Sequence, residues 1–299
     1  MSTSVASTEL NAQGIARKAG SSPLKMLVHF SRRSPLGALS AVMVLALLLV
    51  GTIGPFVAPY DPDDIGVTKK YAMPSWHGHL LGGDQFGRDV LSRLLHGARY
   101  TVGVAMVATV LACMGGIALG ILSAVRQGFT DSVLGRAADA LISIPHLMFA
   151  LVVVAAFGTS LPVLILMAAI SYVPGSYRFA RALALDINAM DFVEVARARG
   201  EKTAYVVWAE ILPNMIVPLL TDFGLRFVFV VLLLSGLSFL GLGIQPPNAD
   251  WGALVRENIT GIYEAAPAVL VPAVAIAMLT ISITLLIDGF SGRSRVVER

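Results

Sequence analysis

Residues 141–177 contain no Asp, Glu, Lys or Arg. Thirty-seven residues of helix would measure about 55 Å, nearly twice the roughly 30 Å hydrocarbon core of a bilayer. A run this apolar cannot be left in water, and it is too long to cross a membrane once. The hexapeptide FGTSLP at 157–162 supplies the glycine and proline that break it. The run is therefore expected to give a third and a fourth helix joined by a tight turn. Further apolar stretches predict a first span at 34–60, a second at 100–125, a fifth at 215–243 and a sixth at 268–287. The fold class is an all-α membrane protein with six transmembrane helices.

Composition agrees, with 56% hydrophobic residues and only 14% charged, against about 25% charged in soluble domains. The net charge of +3 comes with no basic stripe or aromatic stacking platform, so nucleic acid is excluded as a partner and membrane lipid is expected as one. The lone cysteine, Cys113, lies in an apolar run and reads as a small core residue. The first 33 residues hold no apolar core of signal-peptide length, so the first span is expected to stay as an anchor. Residues 24–33, LKMLVHFSRR, are basic and amphipathic enough to lie along the membrane surface.

The loops carry fifteen Lys and Arg on the side shared by both termini and six on the other. The excess of positive charge places both termini in the cytoplasm. The organisation is then a cytoplasmic segment 1–33, a first span 34–60, an extracytoplasmic loop 61–98, a core 99–290 with five spans, and a cytoplasmic tail 291–299.

The same rule puts EVARARGEKTAYVVWAEILP, residues 194–213, in the cytoplasm between the fourth and fifth spans. DFVE at 191–194 has capping-box spacing, with Asp191 as N-cap and Glu194 reaching back. Gly200 stands where a helix would stop. The two-turn helix between them would be marginal alone in water, and Ala196 and Ala198 permit close approach to a partner. TAYVVWAEIL is expected to form a second short helix ending at Pro213. On these local features alone, a solvated connector on the membrane surface competes with a docking element.

Glu194, Ala196, Gly200, Leu212 and Pro213 fall at the spacing of the EAA loop of ABC importer permeases, with Val195 where that loop has its first alanine. LGGDQFGRDVLSRLLHGAR at 81–99 resembles the segment that opens the permease core in the dipeptide/oligopeptide/nickel branch. LSFLGLGIQPPNADWGALV at 237–255 resembles that branch's stretch after the fifth helix. The resemblance spans about residues 31–288 and points to the second of two paired permeases. It implies the type I ABC importer permease fold and a coupling loop at about 186–213. It also implies a homologous second permease, two ATP-binding subunits and an extracytoplasmic solute-binding protein. Glu194, Val195, Ala196 and Gly200 would belong to the joint with the ATPase, and exposure adds Arg197, Arg199 and Lys202. Cargo would be dipeptides or short oligopeptides, with opines, glutathione-like peptides or nickel complexes as alternatives.

No lysine follows the glycine pattern of a phosphate-cradling loop. This chain is therefore expected to be no enzyme and to hold no cofactor, with ATP and magnesium on its partners. GGDQFGRD at 82–89 reads as a tight extracytoplasmic turn, where the family commonly has threonine at Gly83, and Asp89 and Arg93 have the spacing of a helical ion pair. His77 and His79 form an HxH pair that reads as exposed loop; metal is not expected, and no H-E-x-x-H pattern occurs.

Asp222 and Arg226 stand four apart inside the fifth span. Ionisable residues at such depth face a bundle interior or a watery path, so the pair is a candidate for the translocation path as well as a self-neutralising structural pair. Many relatives carry a glutamate later in this helix, where Leu234 stands here. A stand-alone channel or secondary transporter would need coupling carboxylates near the midplane. Asp222, which has its own arginine, is the acid that the sequence places clearly in a span. A membrane-embedded enzyme would need a convergent nucleophile and base, and the sequence offers none.

Overall fold

The computed structural model describes residues 35–76 and 78–291. The amphipathic lead-in at 24–33, His77 and the tail beyond 291 lie outside the described residues. Among those described, every regular element is helical, apart from an isolated bridge between Gly83 and Asp89.

Helix α1 (Pro35–Val57) is the first span. Helix α2 (Val90–Arg126) begins ten residues before its apolar run, because Asp89 caps it. The Asp89 carboxylate accepts from the Ser92 amide at 2.7 Å and the Ser92 hydroxyl at 2.8 Å, quenching two donors at the helix start. At 37 residues, about 55 Å, α2 is longer than a bilayer's hydrocarbon core is thick.

The 141–177 run is broken at Gly158, which takes φ +82°, as FGTSLP predicted. The third span is not a simple helix, however. Helices α3 (Gly128–Ile142) and α4 (His146–Phe157) meet at 86° across residues 143–145. At 12 residues, α4 is too short to cross a bilayer alone. The count of six spans holds when this bent pair is taken as one. Helix α5 (Leu161–Asn188) runs eleven residues past the end of the uncharged stretch.

Helix α6 (Asp191–Ala198) follows, and α7 runs unbroken from Thr203 to Phe239. The separate short helix expected before Pro213 is fused to the fifth span. A π turn at Val206–Ile211 makes the fusion, with the Leu212 amide reaching back five residues to the Val207 carbonyl. Pro213 has no amide to donate, and the widened turn just before it absorbs that defect instead of ending the helix. Helix α8 (Trp251–Glu257), a 3₁₀ turn (Ile259–Glu264) and α9 (Pro267–Ser291) complete the chain.

The most extensive helix contact joins α2 to α5. Ala108, Ala112, Gly116 and Gly120 recur every fourth residue along one buried face of α2. A Cβ on Gly116 would lie 2.5 Å from the Ser176 Cβ, and one on Gly120 would lie 2.8 Å from the Arg181 amide nitrogen. Small residues at this spacing let two backbones approach where lipid supplies no hydrophobic drive between helices.

The extracytoplasmic ends are tied by charge. Asp84, in the turn after Gly82, accepts from the Phe86 and Arg88 amides and from the side chains of Arg88 (2.6 Å) and Arg93 (2.9 Å). Both arginines also reach Glu257 at the end of α8, at 2.8 and 2.7 Å. Trp251 fixes α8 to α2 through Thr101 Oγ1 and the Leu94 carbonyl, each at 2.9 Å. The expected Asp89–Arg93 pair does not form. Asp89 is occupied as N-cap and by His79 Nδ1 at 2.9 Å, and Arg93 by Asp84 and Glu257.

Arg93→Ala is expected to cost about 3 kcal/mol in detergent-solubilised protein. That is the low end for orphaning buried carboxylates, because Arg88 still serves both; a denaturation midpoint equal to wild type would contradict the lock. Asp250 caps α8 through the Ala253 amide and also binds the Ser238 hydroxyl. Burial pushes its carboxyl from the ordinary 3.8 to about 6, against those two hydrogen bonds and with help from the Glu257 charge. The neutral acid is thus the favoured folded form. Its stabilisation is complete below the ordinary value and lost as pH rises through about 6. Asp250→Asn keeps a good cap without the charge, so its melting midpoint should lack the decline that wild type shows between about pH 4 and about pH 7.

Candidate functional site

Two regions hold the residues singled out by sequence, one at the cytoplasmic surface and one at mid-membrane.

At the surface, α6 is seated by Val193 and Ala196, both fully buried against Ile187, Val206, Ile211 and Met215. Three residues apart, they form the inward stripe of a two-turn helix. Glu194, Val195, Arg197, Arg199, Gly200 and Lys202 are exposed. Ala196 therefore faces its own chain, and its small size lets α6 close on the core instead of admitting a partner. The expected capping box is absent. Met190, extended at φ −81° and ψ 147°, is the N-cap, and its carbonyl accepts from the Val193 and Glu194 amides. Asp191 and Glu194 instead place negative charge in the first turn, where the helix dipole favours it.

The other end of α6 is as expected. Gly200 takes φ +82°. Its amide bonds the Arg197 carbonyl at 2.9 Å, and the Glu201 amide bonds the Ala196 carbonyl at 3.2 Å, which is a complete Schellman closure. Around it, Phe192, Val195 and Tyr205 are exposed, and Trp208 is 71% exposed. Large apolar side chains rimmed by charge mark an interaction surface.

At mid-membrane, Arg226 donates from Nε to Asp222 Oδ1 at 3.2 Å, with Nη2 at 3.1 Å from the same oxygen. The pair lies about 20 Å along the helix from Pro213. Asp222 is 4% exposed, and its Oδ2 is buried without a hydrogen-bond partner, as is the Ser176 hydroxyl. Arg226 lies flat on α5, where a Cβ on Gly175 would fall 2.4 Å from Nη1. Glycine is required there by contact. The same level holds the Tyr172 ring, 4.7 Å from His146 at the start of α4, with its hydroxyl donating to the Phe229 carbonyl at 3.1 Å. The break in the third span thus falls beside the ion pair.

Sequence reading missed a second set of charges. Asp131 and Asp139 lie on α3, the first half of the bent span, so Asp222 is not the only acid at membrane depth. Arg181 Nη2 reaches Asp131 at 2.6 Å, and Arg178 pairs with Asp139. Asp131 also accepts from the Ser123 hydroxyl, which in turn lies 2.9 Å from the Tyr177 hydroxyl. A signal was present, since Arg178 and Arg181 share one helical face three residues apart. It was hidden because the uncharged run stops at Tyr177 and the helix seemed to stop with it. Asp131, Asp139 and Asp222 each have an arginine partner. Among the described residues, no three His, Cys, Asp or Glu side chains converge as metal ligands, and His79 is held by Asp89 and stacked on Tyr60.

With this geometry in hand, comparison with known proteins is informative. Residues 116–296 match the family described as binding-protein-dependent transport system inner membrane component. Residues 22–74 match the N-terminal TM domain of oligopeptide transport permease C. A putative peptide transport system permease protein of Brucella suis is 32% identical over 90% of each chain. A dipeptide transport system permease protein of Haemophilus influenzae is 29% identical over 89% of this chain and 92% of its own. A probable D,D-dipeptide transport system permease protein of Escherichia coli is 33% identical over 88% of each. Among solved structures, a chain of the MetNI methionine ABC transporter in an inward-facing form superposes with a TM-score of 0.53, covering 65% of this chain and 93% of its own. At 16% identity that likeness is one of fold.

Arg226→Ala is expected to destabilise the permease by about 3–5 kcal/mol, the range for breaking a buried pair from one side. The double variant Asp222→Asn, Arg226→Gln should recover most of that loss. Uptake by the double variant then separates a solute contact from a structural one, since a purely structural pair predicts wild-type uptake.

Proposed function

This chain belongs to the family of binding-protein-dependent transport system inner membrane components, and we propose that α6 with residues up to Lys202 is the joint through which its ATPase partners drive it. As a multi-pass permease subunit of an ABC system in the bacterial inner membrane, the chain carries no covalent chemistry. Its work is to expose a path alternately to the two faces of the membrane. The cargo is short peptides, as the names of its relatives suggest, and a solute-binding protein delivers them on the extracytoplasmic side. A homologous second permease completes the path. Two ATP-binding subunits hold the ATP and magnesium, leaving this chain without a cofactor.

The observation that carries the reading is the division of α6 into two faces. Val193 and Ala196 anchor it to the base of α5 and α7, while Glu194, Val195, Arg197, Arg199, Gly200 and Lys202 face outward. A marginal helix held rigidly from behind and open in front transmits a push instead of absorbing it. Asp222 and Arg226, at the level where the third span breaks, belong to the translocation path that this push opens and closes.

A tagged permease pulled from native membranes is expected to bring with it an ATP-binding subunit and ATPase activity. Gly200→Pro, which cannot adopt φ +82°, should lose both. So should Val195→Asp, which changes an exposed side chain and leaves the seat of α6 intact. A well-folded Val195→Asp protein that retains a full complement of ATPase would place the joint elsewhere.

A further inference from the structure

Helix α3 and the C-terminal half of α5 flank an open polar cavity of about 570 Å3, lined by Asp131, Ser132, Arg136, Asp139, Arg178 and Arg181. Two of the arginines are paired with the two aspartates. Arg136 has no ion-pair partner among the described residues, so the cavity carries one uncompensated positive charge. Along α5, Arg181 and Arg178 lie about 10 and 15 Å from the helix end at Asn188, and Gly175, which cradles Arg226, lies about 20 Å from it. Arginine–aspartate pairs thus descend from mid-membrane to the cytoplasm in steps of about 5 Å. Ser132, Arg136, Asp139 and Arg178 are exposed, so the cavity is wet.

We infer that this cavity is a wet inward-side station for the cargo, a site of low affinity for the charged termini of a free peptide. Arg136 takes the carboxylate. The Arg178–Asp139 pair is exposed on both partners and opens at little cost to receive carboxylate and ammonium together. The inference rests on the peptide-permease reading and gives it an exit route on this chain. A solute leaving the Asp222–Arg226 level exchanges one pair of opposite charges for the next, so no single site holds it tightly.

The test uses the complete transporter in phosphatidylcholine vesicles without ATP, in a complex otherwise free of reactive thiols. Cys113→Ala removes the native thiol and Ser132→Cys places a new one in the cavity. From the cytoplasmic side, a sulfonate-bearing methanethiosulfonate should label the new thiol about fivefold faster than its trimethylammonium counterpart, after normalisation to free cysteine. That factor suits one unit charge about 9 Å away in water, because the two reagents feel it with opposite sign. Arg136→Gln should remove the preference. Millimolar dialanine should slow labelling, and N-acetylalanine amide, which lacks both charged termini, should not. Equal labelling by the two reagents, or a preference that survives Arg136→Gln, overturns the inference. So does protection by added phosphatidylglycerol without protection by dialanine, which would make the cavity a lipid headgroup site. Dialanine uptake by the same vesicles, once supplied with ATP and the solute-binding protein, separates the two levels. Normal uptake with the wrong labelling pattern sinks the station alone, and loss of all peptide uptake in wild type sinks the cargo reading beneath it.

Discussion

The close approach of α2 to α5 is the constraint from which most of this structure follows. In lipid, helices gain nothing by hiding leucine from leucine, so backbone proximity has to come from the absence of side chains. Gly116 and Gly120 provide it on one side, and Ser176 and Ala180 receive them on the other. Because α5 is pinned there, Gly175 faces α7 and leaves room for a guanidinium, while Arg178 and Arg181 face α3. Helix α6 is reached through the same contact, since Ile187 at the foot of α5 is one wall of the pocket that holds Val193.

Charge is used differently at the two ends. On the extracytoplasmic side Asp84, Arg88, Arg93 and Glu257 form a closed, largely buried network that ties the first loop to α8. Such a network is unfavourable to open one member at a time. On the cytoplasmic side the Arg178–Asp139 pair is exposed and costs little to part. A permease must hold one set of helix ends together while another rearranges, and the burial of the ion pairs divides the labour in that way.

Much of the architecture was legible in the sequence because lipid imposes a crude and powerful rule. Apolar runs gave six spans, with the bent α3–α4 pair counted as one, and FGTSLP gave the break at Gly158. Gly200 was readable because few residues other than glycine take φ +82°. What escaped was decided by partners distant in sequence. The ends of α5 and α7 could not be seen, because the charges that seemed to stop them are neutralised by Asp131 and Asp139 or bypassed by a π turn. Asp89 and Arg93 had the right spacing to pair, yet Arg93 is claimed by Glu257, 164 residues away. The capping box failed by a single residue of register, which side-chain identity alone does not settle.

The fusion of residues 203–212 to the fifth span has a mechanical consequence. Helix α7 is one rod of about 55 Å, and it rests on α5 where Arg226 crosses Gly175. That fulcrum divides it into a cytoplasmic arm of about 35 Å and an extracytoplasmic arm of about 20 Å. A sideways stroke at Thr203 therefore reappears at Phe239 in the opposite direction, with its amplitude cut by roughly two-fifths and its force raised in proportion. The π turn at Val206–Ile211 sits in the long arm beside the point where the stroke enters, as a short stretch of spring between that end and the beam.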